Sequence, residues 1–219
     1  MSMSYEEAAY EQYMDDLYEE HRKEAIEEFT SERLCSYYSE NKLLAKPAFE
    51  ALSEARKLNE SNPTAGLIFA AIAMEVGLKA MLLKPIVHGL VHAESVASLI
   101  TDLTVSHTGM DRYRTLLLHV LQEHGGVDLN TFKRSGSSKT LWEEINEIQK
   151  IRNAIMHRAE KASEQNADLA LGVASEIIDN IFPEVVLKMG FHLHDGYRIC
   201  SDWKCKHKGT PLGKIIEST

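Results

Sequence analysis

The sequence predicts an all-α protein built on an antiparallel helical bundle. Apolar residues recur at helical spacing through most of the 219 residues, and strand-like alternation is confined to the segment after Gly190. The chain has only 12 Gly and 5 Pro, and 44% of its residues are hydrophobic. This composition is too poor in turn residues for a linker-rich chain and too apolar for a disordered one. We therefore expect one domain of ordinary size with appendages.

Residues 1–40 are predicted to form an acidic helical arm. They contain 12 acidic residues against three Lys or Arg, a net charge of −9 that equals the charge of the whole chain. Within 5–29, Ala9, Tyr13 and Leu17 follow helical spacing, which predicts a solvated helix that packs on the body or on a partner. An arm that mimics nucleic acid or inhibits the protein itself is the alternative. Residues 41–219 carry no net charge, so the acidity of the whole chain does not argue against an anion site on the body.

Residues 41–190 carry the helices of the bundle. A helix over 42–58 comes first, and Asn62-Pro63 is a strong start for the next one. That helix, over 64–83, is apolar nearly all round and belongs in the centre of the bundle. Pro85 is expected to end it. Two shorter helices over 94–103 and 111–124 follow, and then an exposed, basic-ended loop over 126–139. The Thr140–Glu143 capping box opens the next helix. The last helix covers 164–189, and Pro183 is expected to kink or interrupt it.

Two charged residues lie within the central apolar helix. Glu75 and Lys79 are four residues apart with the acid first, which is a favourable helical pair. A charge in so buried a setting needs further partners. We expect one of the two to meet a base or polar group on a neighbouring helix.

Residues 191–219 form a short basic tail, either irregular or containing a β-hairpin over 197–205. Its His and Cys residues are numerous enough to bind zinc, which takes four N or S ligands. However, the Cys-x4-Cys spacing is longer than the usual knuckle and no second cysteine pair follows. We therefore expect no metal and no cofactor, with zinc as the alternative. The residues concerned are His192, His194, Cys200, Cys205 and His207.

The most informative segment lies at the end of the helix that follows the capping box. Its apolar residues share one face, while Arg152, Asn153 and His157 lie away from it. Asn153 and His157 are about 40° apart around the helix axis, but Arg152 is about 140° from His157. Arginine offers fixed donors for phosphate oxygens, and histidine can move a proton near neutral pH. Such a pair can cleave RNA without a metal, because the ribose 2′-OH is an internal nucleophile.

Arg152-Asn153-x-x-x-His157 resembles the Arg-x4–6-His motif of HEPN-domain proteins, including the polar residue that commonly follows the arginine. The context is also similar, because the motif lies late in a helix rich in Ile and Glu. The Ala- and Leu-rich segment over 70–83 looks like the paired HEPN helix with its acid. The resemblance covers about residues 45–185 and leaves the arm and the tail unexplained.

The resemblance implies a HEPN-like bundle that forms a homodimer through the motif helix and cleaves RNA without a metal. Family members often act as toxins or in phage defence, so RNA is the implied partner, with an antitoxin or regulatory protein as a further one. By position, Arg152 would bind the scissile phosphate, His157 would exchange protons with the 2′-OH or the 5′-oxygen, and Asn153 would orient one of them. Ala159 replaces the tyrosine that one subfamily modifies, so regulation of that kind is not expected.

Two other functions stay open. The first is a non-catalytic HEPN interaction or nucleotide-binding module, in which Arg152 and His157 only stabilise a dimer or bind a nucleotide. The second is an antitoxin-like or adaptor protein whose acidic arm occupies a basic partner. Arg, Asn and His are also ordinary residues on the wet face of an amphipathic helix.

The location expected from sequence is the cytoplasm. The first residues have neither a basic segment nor an apolar one of the kind found in secretion signals. No run reaches 18 uncharged apolar residues, so we expect no membrane partner. Three cysteines are too few for a disulfide scaffold, which favours a reduced compartment.

Overall fold

The computed structural model describes residues 5–91, 128–202 and 204–206. The helices expected over 94–103 and 111–124 lie outside the described residues, as does His207. The described part is mostly helical with one small antiparallel sheet, which confirms the all-α class. Its elements are α1 (Tyr5–Glu40), α2 (Lys46–Leu58), α3 (Pro63–Leu90), α4 (Leu141–Arg158), α5 (residues 164–188), β1 (His192–His194) and β2 (Arg198–Cys200).

Helix α3 is the centre of the fold, as its all-round apolar sequence predicts. It packs against α2, α4 and α5, and the end of α1 packs on its last turns. The Asn62 side chain caps its first turn by accepting a hydrogen bond from the Ala65 N–H, and Pro63 occupies the first helical position. By length and composition alone α3 could also cross a membrane, yet 61% of its most apolar window is buried inside the protein. A core helix passes the same test.

The expectation that Pro85 ends the central helix is wrong. The chain passes from α-helix into a π-helical segment at Gly77–Leu83 and continues through Pro85 to Leu90. In a regular helix the N–H of residue 85 would bond to the Met81 carbonyl, and proline has no N–H. The Tyr38 hydroxyl of α1 donates to that carbonyl instead, at 2.8 Å. The helix continues because a neighbouring side chain supplies the missing donor.

Helix α5 also continues through a proline. A π-helical segment, Glu176–Ile181, precedes the last turns at Phe182–Lys188, which contain Pro183. The sequence predicts a kink or an interruption there, and the structure shows the α-helix interrupted by this π-helical segment. The π-helical segments of α3 and α5 pack together at Gly77. A Cβ added to Gly77 would lie 3.1 Å from Cγ2 of Ile177, so a larger residue would push the two segments apart.

Helix α1 is continuous but changes character along its length. The described side chains from Ala9 to Phe29 are exposed, except for the half-buried Leu17. From Thr30 onward the helix contributes to the core, through Thr30, Leu34 and Tyr38. Between these buried positions the Arg33 guanidinium donates to the carbonyls of His88 and Val91 at 3.2 Å, which caps the C-terminal end of α3. The solvated helix predicted over 5–29 is therefore joined to an anchored segment.

The loop before α4 is anchored to the core at two of its residues, Leu129 and Arg134. Leu129 is fully buried, and Arg134 is paired with the buried carboxylate of Glu144. Arg134 donates two hydrogen bonds to that carboxylate, at 2.8 and 2.9 Å. Ser137 donates a third, at 2.8 Å. The positive charge of Arg134 therefore neutralises a buried carboxylate, whereas most of the other described residues of the predicted exposed loop are exposed.

The predicted capping box opens α4. The Thr140 hydroxyl accepts the Glu143 N–H at 3.3 Å, and the Glu143 carboxylate accepts the Thr140 N–H at 2.8 Å. The bond from the Thr140 N–H is the main reason that the pKa of Glu143 lies below its ordinary value. This reciprocal pair sets the starting point of the helix that carries Arg152 and His157.

The C-terminal tail contains a hairpin, although not over the residues expected. β1 pairs antiparallel with β2, and the turn between them lies at Asp195-Gly196 rather than after Tyr197. Both turn residues have positive φ, 51° and 78°, as a type I′ turn requires. Phe191 and Ile199 reach into the core, and the Ile199 N–H bonds to the Lys42 carbonyl at 3.0 Å. The period-two alternation after Gly190 marked the right segment, and the Asp-Gly pair marks the turn.

Candidate functional site

Arg152 lies at the boundary between the core and solvent on α4. Its side chain is 29% exposed, and Nη1 lies 3.9 Å from Oε1 of Glu75 on α3. Nη1 also donates to the Oδ1 atom of the adjacent Asn153, at 3.3 Å. The expectation that a charge of the central helix meets a base on a neighbouring helix is confirmed by the Glu75–Arg152 pair. A carboxylate and an amide oxygen therefore both lie beside Nη1 of the guanidinium.

Asn153 and His157 lie one turn apart on the exposed side of the same helix. Both are exposed, and Asn153 contacts Arg152 as described. Within the described part of the chain, His157 makes no side-chain hydrogen bond and no ion pair. The structure thus brings Arg152 and Asn153 together and leaves the imidazole of His157 facing solvent. A group in that position is accessible to an external ligand.

The motif residues share one broad face at the end of α4. Around the helix axis the order is Arg152, Met156, Asn153, His157, and the face spans about 140°. Met156 is 61% exposed. On α3, Ile72 lies one turn before Glu75 and is 40% exposed, although most residues of this helix are buried or half-buried. Two exposed apolar side chains, Ile72 and Met156, therefore lie near the Glu75–Arg152 pair.

Helix α4 ends directly after the motif. Ala159 adopts the left-handed conformation with φ 53°, and its N–H bonds to the Ile155 carbonyl at 3.0 Å. His157 therefore lies in the last turn of the helix. The chain then returns toward α3, because the Ala162 N–H donates to the Thr64 hydroxyl at 3.1 Å. The central helix α3 therefore contacts this region twice, at Arg152 and again at Ala162, just after the end of α4.

A second group of potential metal ligands lies on the C-terminal hairpin and in the turn that follows it. We call it the Cys/His cluster, and its candidate ligand atoms all lie within 4.8 Å of one another. Nε2 of His194 contacts Sγ of Cys205 directly, and the rings of His192 and His194 are 5.2 Å apart. The members are His192, His194, Cys200 and Cys205.

Comparison with known protein families, with characterised proteins and with solved structures gives no match. The function has to be inferred from the residues themselves.

Sequence reasoning missed two features of these sites. The partner of Arg152 on α3 was expected in kind but not identified, because the facing residues of two helices depend on how the helices cross. The convergence of the Cys/His cluster was not predicted, because the number of residues between two ligands along the chain does not show which ligands a hairpin brings together. The Asp195-Gly196 turn was the available signal, since a hairpin there brings the segment of His192 and His194 next to the segment of Cys200.

Proposed function

We propose that the protein is a metal-independent endoribonuclease of HEPN type, acting as a toxin or phage-defence effector. The observation that carries the proposal is the motif face at the end of α4. There Arg152 is held by Glu75 and Asn153, and His157 is exposed one turn further along. The proposal rests on the resemblance of this motif to that of HEPN proteins and on the chemistry of the side chains.

In the proposed reaction the ribose 2′-oxygen attacks the adjacent phosphorus. The P–O5′ bond breaks as the 2′-O–P bond forms, which leaves a 2′,3′-cyclic phosphate and a 5′-hydroxyl. Arg152 stabilises the negative charge that develops on the phosphate oxygens, since a guanidinium donates two parallel hydrogen bonds. His157 exchanges a proton with the 2′-OH or with the leaving 5′-oxygen. No step requires a metal ion.

A homodimer is part of the proposal. Arg152 and His157 lie at opposite edges of the motif face, so one rigid helix cannot direct both side chains to the same phosphate. A two-fold axis beside the face would place Arg152 of one copy near His157 of the other. Met156 and Ile72 supply exposed apolar surface for such a contact. The shared site explains why apolar side chains are exposed beside the polar motif.

A non-catalytic interaction module is the second candidate. The observation that favours it is the Glu75–Arg152 pair, because an arginine already paired across two helices also serves a purely structural role. In that case Arg152 and His157 contribute to the assembly and not to a reaction. The two candidates differ in what the alanine variants do to folding and assembly.

The test is cleavage of labelled RNA by the full chain in EDTA, with circular dichroism in the same buffer to show that the fold is retained. The parent should release fragments with 2′,3′-cyclic phosphate and 5′-hydroxyl ends. His157→Ala should lower the rate by about 10²–10⁴-fold, the usual contribution of a general acid or base. Arg152→Ala should lower it by about 10²–10³-fold, and Arg152→Lys should recover little of the loss.

Arg158→Ala is the matched control. Arg158 is an exposed arginine of the same helical turn, paired with Glu160 and outside the motif. This variant should cleave RNA like the parent, and light scattering should show the same assembly for all variants. If the motif variants cleave like the parent, the proposed site is wrong. If they instead lose the dimer or unfold, Arg152 and His157 are structural and the interaction module is the correct function.

A further inference from the structure

The Cys/His cluster forms because side chains in a β-hairpin alternate between the two faces of the sheet. In β1, His192 and His194 are two residues apart and share one face of the strand. Across the hairpin His192 is paired with Cys200, so this cysteine lies on the same face. Phe191 and Ile199 belong to the opposite face and enter the core. The hairpin therefore separates an apolar face that packs on the bundle from a face that collects His and Cys.

A tight turn returns the fourth side chain to the same face. The Cys205 N–H donates to the Asp202 carbonyl at 3.1 Å, and the Asp202 carboxylate accepts the Lys204 N–H at 2.9 Å. The Asp202 N–H in turn donates to Sγ of Cys200 at 3.4 Å. A neutral thiol is a weak acceptor, whereas a metal-bound thiolate is commonly hydrogen-bonded by its surroundings. The turn both positions Cys205 and provides a donor to the sulfur of Cys200.

The donor set and its geometry point to zinc. Two sulfur and two imidazole donors are a common structural zinc set, and tetrahedral zinc holds them at about 2.3 Å and 2.0 Å. Those bond lengths separate neighbouring ligand atoms by about 3.3–3.8 Å. The atoms of the cluster all lie within 4.8 Å of one another, so small side-chain movements suffice. Hard cations such as magnesium and calcium prefer oxygen ligands, which this set does not offer.

We propose that His192, His194, Cys200 and Cys205 form a structural zinc site that stabilises the C-terminal hairpin. Four protein ligands complete the tetrahedral shell and leave no open position for water or substrate, so the ion takes no part in catalysis. A hairpin with three residues in each strand is marginal by itself. Zinc joins β1, β2 and the following turn, while the opposite face of the hairpin packs on the bundle. The site is independent of the proposed RNA cleavage.

The test is the metal content of the full chain, purified without a polyhistidine tag and measured by elemental mass spectrometry. The parent should carry about one zinc ion per chain. After zinc is removed and cobalt added, the protein should show the visible absorption of tetrahedral, thiolate-bound cobalt. Cys200→Ser and Cys205→Ser should lose most of the zinc and the thiolate-to-cobalt bands. Both readouts on the parent remain decisive even where a variant does not fold.

Two control variants assign the ligands. Cys35→Ser changes a cysteine of α1 outside the cluster, and it should retain the zinc content of the parent. His207→Ala should also retain it, because four ligands are already supplied. A parent protein that carries no zinc and does not bind added zinc or cobalt would overturn the proposal. So would a Cys200–Cys205 disulfide in the purified protein, or loss of zinc from either control.

Discussion

At the scale of single residues, Tyr38 shows how one side chain permits an irregular helix. Tyr38 belongs to α1, and its ring is fully buried in the core. Its hydroxyl donates a hydrogen bond to the carbonyl of Met81, four residues before Pro85. Burial, with a smaller contribution from Tyr37, raises the pKa of the Tyr38 hydroxyl, so the group stays protonated and remains a donor. A carbonyl buried without a donor would be costly, and Tyr38 removes that cost.

Tyr38→Phe is expected to lower the free energy of unfolding by about 1–3 kcal/mol, because it leaves the Met81 carbonyl without its side-chain donor. Chemical denaturation followed by circular dichroism measures the change. Tyr37→Phe is the matched control, since the Tyr37 hydroxyl donates no hydrogen bond to the described residues and its removal should cost less than about 0.5 kcal/mol. Equal effects of the two substitutions would show that the hydroxyl of Tyr38 is not what supports the helix.

The candidate sites were predictable from sequence only where the chemistry is local. Arg152, Asn153 and His157 could be placed on one helix end, because their spacing fixes their angles. The need of Glu75 for a partner also followed from its apolar surroundings. Which residue would meet it depended on how α3 crosses α4, and no local pattern encodes that.

At the scale of elements, the helix starts marked by side-chain caps were predicted correctly, whereas the start of α2 is Lys46 and not residue 42. The Asn62 cap and the Thr140–Glu143 box are local hydrogen-bond patterns, and both appear where the sequence predicts them. The effect of Pro85 and Pro183 was harder to predict, because a proline removes one backbone donor and its ring clashes with the carbonyl four residues earlier, and the response to both depends on the surrounding structure. Here π-helical segments and a tyrosine from another helix change the outcome.

The loop before α4 provides a prediction at this scale. Arg134→Ala should lower the free energy of unfolding by about 3 kcal/mol, because it leaves the carboxylate of Glu144, which is 3% exposed, buried without its cation. Lys133→Ala is the control, since Lys133 is the exposed basic neighbour and its removal should change stability by less than about 0.5 kcal/mol. Thermal and denaturant unfolding measure both effects.

A double substitution separates the buried charge from the loop itself. Arg134→Met combined with Glu144→Leu replaces the ion pair by apolar groups, and buried pairs replaced in this way are often neutral or more stable. The double variant should therefore regain most of the stability lost in Arg134→Ala. A double variant as unstable as the single one would show that the loop depends on the hydrogen bonds of Arg134 rather than on neutralising Glu144.

At the scale of the whole molecule, α1 joins a solvated segment to an anchored one. Its first part exposes large aromatic residues among acids, including Tyr10, Tyr13 and Tyr18. Its last part contributes Leu34 and Tyr38 to the core. The acidic charge of residues 1–40 and their helical spacing predicted a solvated helix. They did not indicate where it would meet the body, because Leu34 and Tyr38 resemble the apolar residues of the exposed part.

Two deletions test this division of α1. Removal of residues 1–28 should leave the bundle folded, with a melting temperature within a few degrees of the parent, because the described side chains that it removes are exposed, apart from the half-buried Leu17. Removal of residues 1–38 should unfold the chain, since it removes Thr30, Leu34 and Tyr38 together with the Arg33 cap on α3. Circular dichroism melts distinguish the two. Unfolding after the shorter deletion would show that the exposed part is needed for the core.

The length of α1 also governs how fast the protein moves through solution. A helix of 36 residues is about 54 Å long, whereas a compact chain of this size has a radius of gyration of about 17 Å. If the solvated part extends from the body, it adds friction without adding mass. A single copy would then leave a gel-filtration column earlier than its 24.7 kDa warrants, at a position close to that of a compact dimer. Only a method that measures mass directly distinguishes the two.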